Sequence, residues 1–246
     1  MRRQDNMRDG HRDSAVLGSA VRNNAAWCQE MARAHGLPGQ FETGLWVHPE
    51  PMPPLYPNAI TLAGASSLHQ YARIAEIVSA GNSLASVKDS FCSLDLRPLG
   101  LRPLFTADWI VREADDSLSQ TRNGKCLRLV TEEGLRRWEL AWGQTPPGSE
   151  PIFPPALLAN SDTTILAVFD GDDIVAGCVA NKADGVVGWS NLFGSRPAVC
   201  LAATMEAFPG LPVVGYEHGT ELALAKRLGF KTIGALQIWV TEDRPV

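Results

Sequence analysis

No apolar run in this 246-residue chain approaches the ~20 residues that a membrane-spanning helix needs, so no membrane role is expected. The N-terminus carries charge but no apolar core of the kind a secretory signal has, which argues against export. Cysteine is sparse and scattered. The five residues Cys28, Cys92, Cys126, Cys178 and Cys200 are odd in number and show no metal-ligand spacing. Reduced thiols in a cytoplasmic protein are the expected reading. His35, His48 and His69 have no neighbouring carboxylate or cysteine pattern, so no metal is expected. No Gly-x-Ser-x-Gly surrounds Ser66-Ser67, which leaves a hydrolase triad unsupported. Asp170-Gly171-Asp172-Asp173 lacks the spaced ligands and distal Glu of a calcium loop and reads as a turn. An excess of positive charge is missing too: the net charge of −5 gives no electrostatic case for nucleic acid.

What is present is an ordinary globular composition, with 45% hydrophobic and 20% charged residues. The length suits one large or two modest domains. The last third is the most legible. Thr164 to Phe169 is apolar and β-branched, Asp170 to Asp173 is turn chemistry, and Ile174 to Ala180 is a second strand, so the pair reads as a hairpin. A second polar turn, Lys182-Ala183-Asp184-Gly185, leads into a strand over Val186 to Asn191. A loop from Leu192 to Arg196 then opens a helix at Pro197, a favoured first helical residue. Leu211 to Tyr216 reads as a strand. Leu222, Ala225 and Leu228 mark one face of a helix stopped by Gly229, and Thr232 to Thr241 closes the chain as a strand or bent hairpin.

The first half is less regular. Residues 1–14 mix Arg, Asp and Gly and are expected to be a disordered tail. Ala15 to His35 predicts a helix with Leu17, Val21, Ala25, Cys28, Met31 and Ala32 on one face and Gly36 as its stop. Five prolines between Trp46 and Pro57 demand an extended surface loop or brace. Asn58 to Leu62 predicts a strand, and Ser67 to Ala80 a helix capped by Ser66 or Ser67 and stopped by Gly81. Strands are expected over Ser86 to Leu96 and Leu104 to Val111. Trp27, Trp46, Trp138 and Trp142 read as anchors between the two halves rather than base-stacking platforms.

This order resembles the GNAT superfamily of acyl-CoA-dependent N-acetyltransferases. The resemblance rests on the hairpin Phe169 to Gly177, on the strand-loop-helix Trp189 to Phe208, and on Val213-Val214-Gly215-Tyr216-Glu217 followed by Leu228-Gly229-Phe230. It covers about the last half of the chain, with Cys126 to Val130 as a first strand and Glu132 to Trp142 as a first helix. It implies an α/β (α+β) fold of mixed, mostly antiparallel sheet with flanking helices. The expected organisation is a tail over 1–14, an N-terminal α/β portion over 15–120 and a GNAT-like acyltransferase domain over 125–246. Strand, helix, strand, strand in the first half also suggests a degenerate tandem copy. The halves share little identity, however, which favours an unrelated α/β cap.

The resemblance further implies acetyl-CoA as co-substrate and an amine on a small molecule or a protein as acceptor, attacked directly without a covalent intermediate. The pyrophosphate would lie at the helix start behind Gly194, Ser195 and Arg196. The family's usual loop before this helix, Arg/Gln-x-x-Gly-x-Gly/Ala, is here Asn191 to Pro197, with one glycine and a proline lacking an N–H. A backbone N–H within Trp189, Ser190 and Asn191 would polarise the thioester carbonyl. Glu217 is the candidate base, or else a charge stabilising the helix that follows it. His218 has a suitable unperturbed pKa but is expected to be solvated. Many members carry a Tyr where this chain has Ala225, so either Tyr216 is the candidate acid or the acid is dispensable and Tyr216 is a packing residue. Trp189 either walls an acyl pocket or is core. The alternative to catalysis is a silent module that binds CoA, a metabolite or a protein partner. Oligomeric state is not legible.

Overall fold

The computed structural model describes residues 2–64, 68–80, 86–114, 125–145 and 148–241. Among the described residues five α-helices flank the sheet: α1 (Arg2–Ala34), α2 (Leu68–Ser79), α3 (Glu132–Trp142), α4 (Pro197–Ala207) and α5 (Gly219–Arg227). The strands of the first half are β1 (Gln40–Glu42), β2 (Leu45–Val47), β3 (Ala59–Thr61), β4 (Ser86–Asp89) and β5 (Leu101–Arg112). Those of the second are β6 (Lys125–Arg128), β7 (Thr163–Asp170), β8 (Asp173–Ala183), β9 (Val186–Gly194), β10 (Val213–Glu217) and β11 (Lys231–Thr241). All join one sheet in the order β1-β2-β3-β4-β11-β5-β10-β9-β8-β7-β6.

Local chemistry fixes the second half. Asp184 and Gly185, with φ of 52° and 75°, form the two-residue turn between β8 and β9, a backbone that Asp tolerates and Gly prefers. Thr131 caps α3 by accepting from Gly134 N, Gly143 ends it at φ 72°, and the helix turns Leu135, Trp138 and Trp142 inward. α5 gives way to Gly229 at φ 88°.

The first half repeats this plan in reduced form. In each half a three-stranded antiparallel meander leads through a helix to a strand parallel to the meander's last member. The parallel contact is short both times: Ala59–Val87 and Ile60–Lys88 between β3 and β4, Val187–Val213 and Gly188–Val214 between β9 and β10. The two final strands are exchanged. β5 pairs antiparallel with β10, β11 pairs antiparallel with β4, and β5 and β11 pair with each other at the centre. The first half is therefore a shortened copy of the second in element order, not the unrelated cap that low identity suggested.

Three other expectations change. The helix predicted from Ala15 begins at Arg2, so residues 2–14 of the expected disordered tail are helical. Residues 2–14 hold no proline and a single glycine, and Arg12 meets Glu113 beyond β5 at 3.0 Å. The strand expected over Ser86 to Leu96 ends at Asp89, whose buried carboxylate accepts from Leu94 N at 2.8 Å and Phe91 N at 3.3 Å and turns the chain away. The strand expected to end at Asn191 runs on to Gly194. Ser66, Ser67 and Gly81, the expected caps of α2, lie outside the described residues.

The sheet bends around α1. Trp46 on β2 donates to Gln29 on α1 at 2.7 Å, and the same helix places His35 Nε2 2.9 Å from the Ile152 carbonyl of the second half. Trp27, Trp46, Trp138 and Trp142 share one core with Tyr56, Ile60, Phe153 and Ile165, which draws on both halves. Truncating any one of these tryptophans to Ala should cost about 3–5 kcal/mol. Residues 121–246 alone would lack α1 and leave the facing edges of β10 and β11 unpaired. Expressed by itself, that fragment should aggregate or melt without cooperativity in circular dichroism, and a sharp two-state transition would count against the coupling.

Candidate active site

The site grows from the fork between β9 and β10. Gly215 lets the strands come close at its base, since a Cβ there would lie 2.8 Å from the Trp189 carbonyl. Beyond that contact the pairing stops. β9 bends away because it carries a bulge: its register with β8 shifts between Gly177 and Val179, and Asn191 sits at φ 52°. Asn is among the few residues that adopt this left-handed conformation readily. Ser190 Oγ donates to Asn191 Oδ1 at 3.0 Å. The far edge of β10 remains held by β5 through Glu217, opposite Asp108. The opening therefore lies only toward β9.

Of the residues singled out from the sequence, Ser190, Asn191, Tyr216 and Glu217 gather at this fork, half-buried. Trp189 does not line it as an open wall. It is buried beneath α4 and α5, stacked on Phe230 with ring centroids 5.5 Å apart and planes within 7°. Gly194 ends β9 opposite Ala176 at φ 82°, where a Cβ would strike the Val175 carbonyl. Ser195 is exposed. Arg196 is the N-cap residue of α4, with no side-chain cap bond there, and its guanidinium reaches Asp170 at 3.2 Å. The first turn of α4 thus has no capping oxygen, while Pro197 brings no N–H to it and the Arg196 charge is matched by Asp170. Ala225 is buried in the core under α5 and brings no hydroxyl to the fork.

Strand alternation divides the end of β10 into two faces. On the side of α4 and α5, burial pushes the Glu217 carboxyl up to about 7, with the Glu221 charge adding to the effect. On the α1 side, the Tyr216 hydroxyl lies 3.2 Å from Lys88 Nζ, which also sits 4.3 Å from the ring centroid and donates to Asn24 Oδ1 at 2.6 Å. Trp109 meets the Tyr216 ring edge-on at 5.5 Å. Tyr56, from the proline-rich loop, approaches Asn191 and Trp27 from the same side. His218 is exposed and stacks on Phe105 at 4.6 Å.

Lys88, Asn24 and Tyr56 were not found from the sequence. Lys88 stands between Val87 and Asp89 in the mainly polar strand Ser-Val-Lys-Asp, so it gave no local signal of its own. His48, by contrast, is a packing residue: its ring nitrogens lie 2.8 and 2.6 Å from the carbonyls of Glu50 and Leu37. Among the described residues no cluster of His, Cys, Asp or Glu could hold a metal, and no helix is long and apolar enough to cross a membrane.

No protein-family profile matches the chain, and no curated protein sequence matches it significantly. Solved structures do. A GCN5-related N-acetyltransferase from Kribbella flavida superposes with a TM-score of 0.63 at 15% identity, covering 91% of this chain and 95% of that one. A conserved protein of unknown function from Staphylococcus epidermidis gives a TM-score of 0.59 at 12% identity, over 82% and 92% of the two chains. A GNAT-family protein from Novosphingobium aromaticivorans gives 0.53 at 13% identity, over 87% and 94%. With its short parallel fork, bulged strand and following helix, this chain has the fold of the GCN5-related N-acetyltransferases.

Proposed function

We propose that the chain transfers an acyl group, acetyl in the simplest case, from a CoA thioester to a primary amine at the β9–β10 fork, with Glu217 as the base. The observation that carries this reading is the half-buried Glu217 carboxyl at the open end of the fork, which burial pushes up to about 7. An amine is protonated in neutral water and must lose that proton before it attacks, and a base with a pKa close to the working pH is the efficient one. The attack on the carbonyl is direct. Negative charge developing on the carbonyl oxygen is met by a backbone N–H in Trp189 to Asn191, where the bulge withdraws the strand from its neighbour. The departing thiol, with an ordinary pKa near 8.5, leaves as thiolate with little help, so the missing hydroxyl at Ala225 is tolerable. Tyr216 turns its hydroxyl to Lys88, away from the face that carries Glu217, and is a positioning residue in this reading rather than the acid. The amides of Gly194 to Arg196 and of Ala198, with the Arg196 guanidinium, would hold the phosphates of the donor.

A second reading, binding without transfer, is favoured by Pro197 at the first position of α4 and by Ala225. Thermal-shift titration separates donor binding from its absence. CoA or acetyl-CoA at 100 times its dissociation constant should stabilise the protein by about 2.7 kcal/mol. No shift at millimolar CoA would remove the donor site and with it the transferase reading.

Glu217→Gln keeps the shape and removes the titrating group. Turnover should fall about 10²–10⁴-fold while acetyl-CoA affinity is nearly unchanged. In the parent protein kcat/KM should rise with pH through about 7, because only the ionised carboxylate accepts the proton. Stability runs the other way. Burial disfavours the charge, so the folded protein retains a proton that the unfolded chain releases nearer 4.5. The cost is full above pH 7 and is relieved as pH falls through that value. Wild-type turnover in Glu217→Gln from pH 6 to 9 would make Glu217 a structural charge only.

A further inference from the structure

Lys88 is 3% exposed, and the two hydrogen bonds of its ammonium go to neutral oxygens, Asn24 Oδ1 and Tyr216 Oη. Among the described residues no carboxylate pairs with it. A buried cation is ordinarily matched by an anion, and an ammonium has three protons to place. Nearby is a second unspent donor. Tyr56 is 5% exposed, and its buried hydroxyl proton finds no acceptor among the described residues, although the side chains of Trp27 and Asn191 lie close enough to act as donors toward its oxygen. The two groups belong to one cluster: Tyr56 lies within electrostatic reach of Tyr216 and Cys28, and Cys28 within reach of Lys88. Tyr216, between them, is half-buried and leads to the fork. Asn191, beside Tyr56, belongs to the bulge itself.

We propose that the acceptor is an amino acid: Lys88 and Tyr56, with Tyr216 between them, hold its carboxylate while its amine faces Glu217 across the end of β10. The assignment rests on the acyltransfer reading and deepens it by naming the substrate class. One cation and one phenolic O–H match a monoanion with two oxygens, each taking one donor. A phosphate dianion would meet only one compensating charge. Lys88 and Tyr56 both come from the first half, so the half whose own fork is closed supplies the specificity of the other.

The test compares pairs of acceptors with the full chain and acetyl-CoA: amino acids against the primary amines that lack their carboxylate. The amino acids should have a KM at least about tenfold lower. Lys88→Met should collapse that preference toward unity by raising KM for the amino acids. Lys88→Arg should restore part of it, and Tyr56→Phe, which keeps the ring packing, should weaken it several-fold. Melting curves of each variant establish that it folds. Equal KM for both classes in the parent protein, or an undiminished preference in both Lys88→Met and Tyr56→Phe, overturns the proposal. If no acceptor is acetylated, the transferase reading fails by itself. Thermal shifts with amino acids and amines in the presence of CoA then decide the site. A shift that requires both the carboxylate and Lys88 sustains it, and no such shift overturns it.

Discussion

The antiparallel pairing of β5 with β11 at the centre of the sheet is the contact on which the rest of the molecule depends. Each strand closes the half to which it does not belong: β5 supports β10, and β11 supports β4. Without the exchange, each half would end in a parallel pair only two residues long, far too little to hold a strand by itself. With it, both forks acquire a firm outer edge, and all eleven strands become one sheet. That sheet can curve around α1, which supplies one core to residues as distant as Trp46 and Ile165. Loop closure over the intervening chain costs little more for a long loop than for a short one, so an exchanged strand is affordable once its edge is fully paired.

The same plan has been filled differently in the two halves. At the second fork β9 bulges at Asn191 and the opening persists. At the first, the position beyond the parallel pair is occupied by Asp89, whose carboxylate gathers Thr61 Oγ1, Phe91 N and Leu94 N, while Ser90 N donates to Thr61 Oγ1. Those bonds tie β3 and β4 together where β9 and β10 part. The first fork is knitted shut by side chains, and the strands leading to it have shrunk to three residues each.

This asymmetry explains what could be read from the sequence. The second half was legible because each element has its own local signature: the Asp184-Gly185 turn, the Thr131 cap, Gly229 after α5. Glu217 was legible because it ends a recognisable strand. The first half offers three-residue strands and a strand cut short by Asp89, and neither leaves a periodic trace. The exchange of β5 and β11 is invisible locally, since it depends on which edges meet and not on any propensity. Lys88 and Tyr56 escaped for the same reason. The bond from Lys88 to Tyr216 joins positions 128 residues apart, and the lysine acquires meaning only when β4 and β10 face the same side of α1.

Strand geometry then accounts for how one short element could serve both ends of the proposed reaction. Tyr216 and Glu217 are neighbours in β10, and alternation sends them to opposite faces. One face is apolar enough to hold a carboxyl near neutrality; the other carries a buried ammonium in contact with a phenol and an amide. Opposed environments this close would attract and cancel if the side chains shared a face, because a carboxylate within reach of Lys88 would have its pKa pulled down rather than up. Placing them across the strand preserves both. The fork supplies what remains, a backbone gap fixed at its base by the approach of Gly215 to the Trp189 carbonyl and released above it by Asn191. A side chain at 215 would push the strands apart below the gap and move Glu217 relative to the bulge. The smallest residue in β10 therefore sets the distance between the Glu217 carboxyl and the bulge.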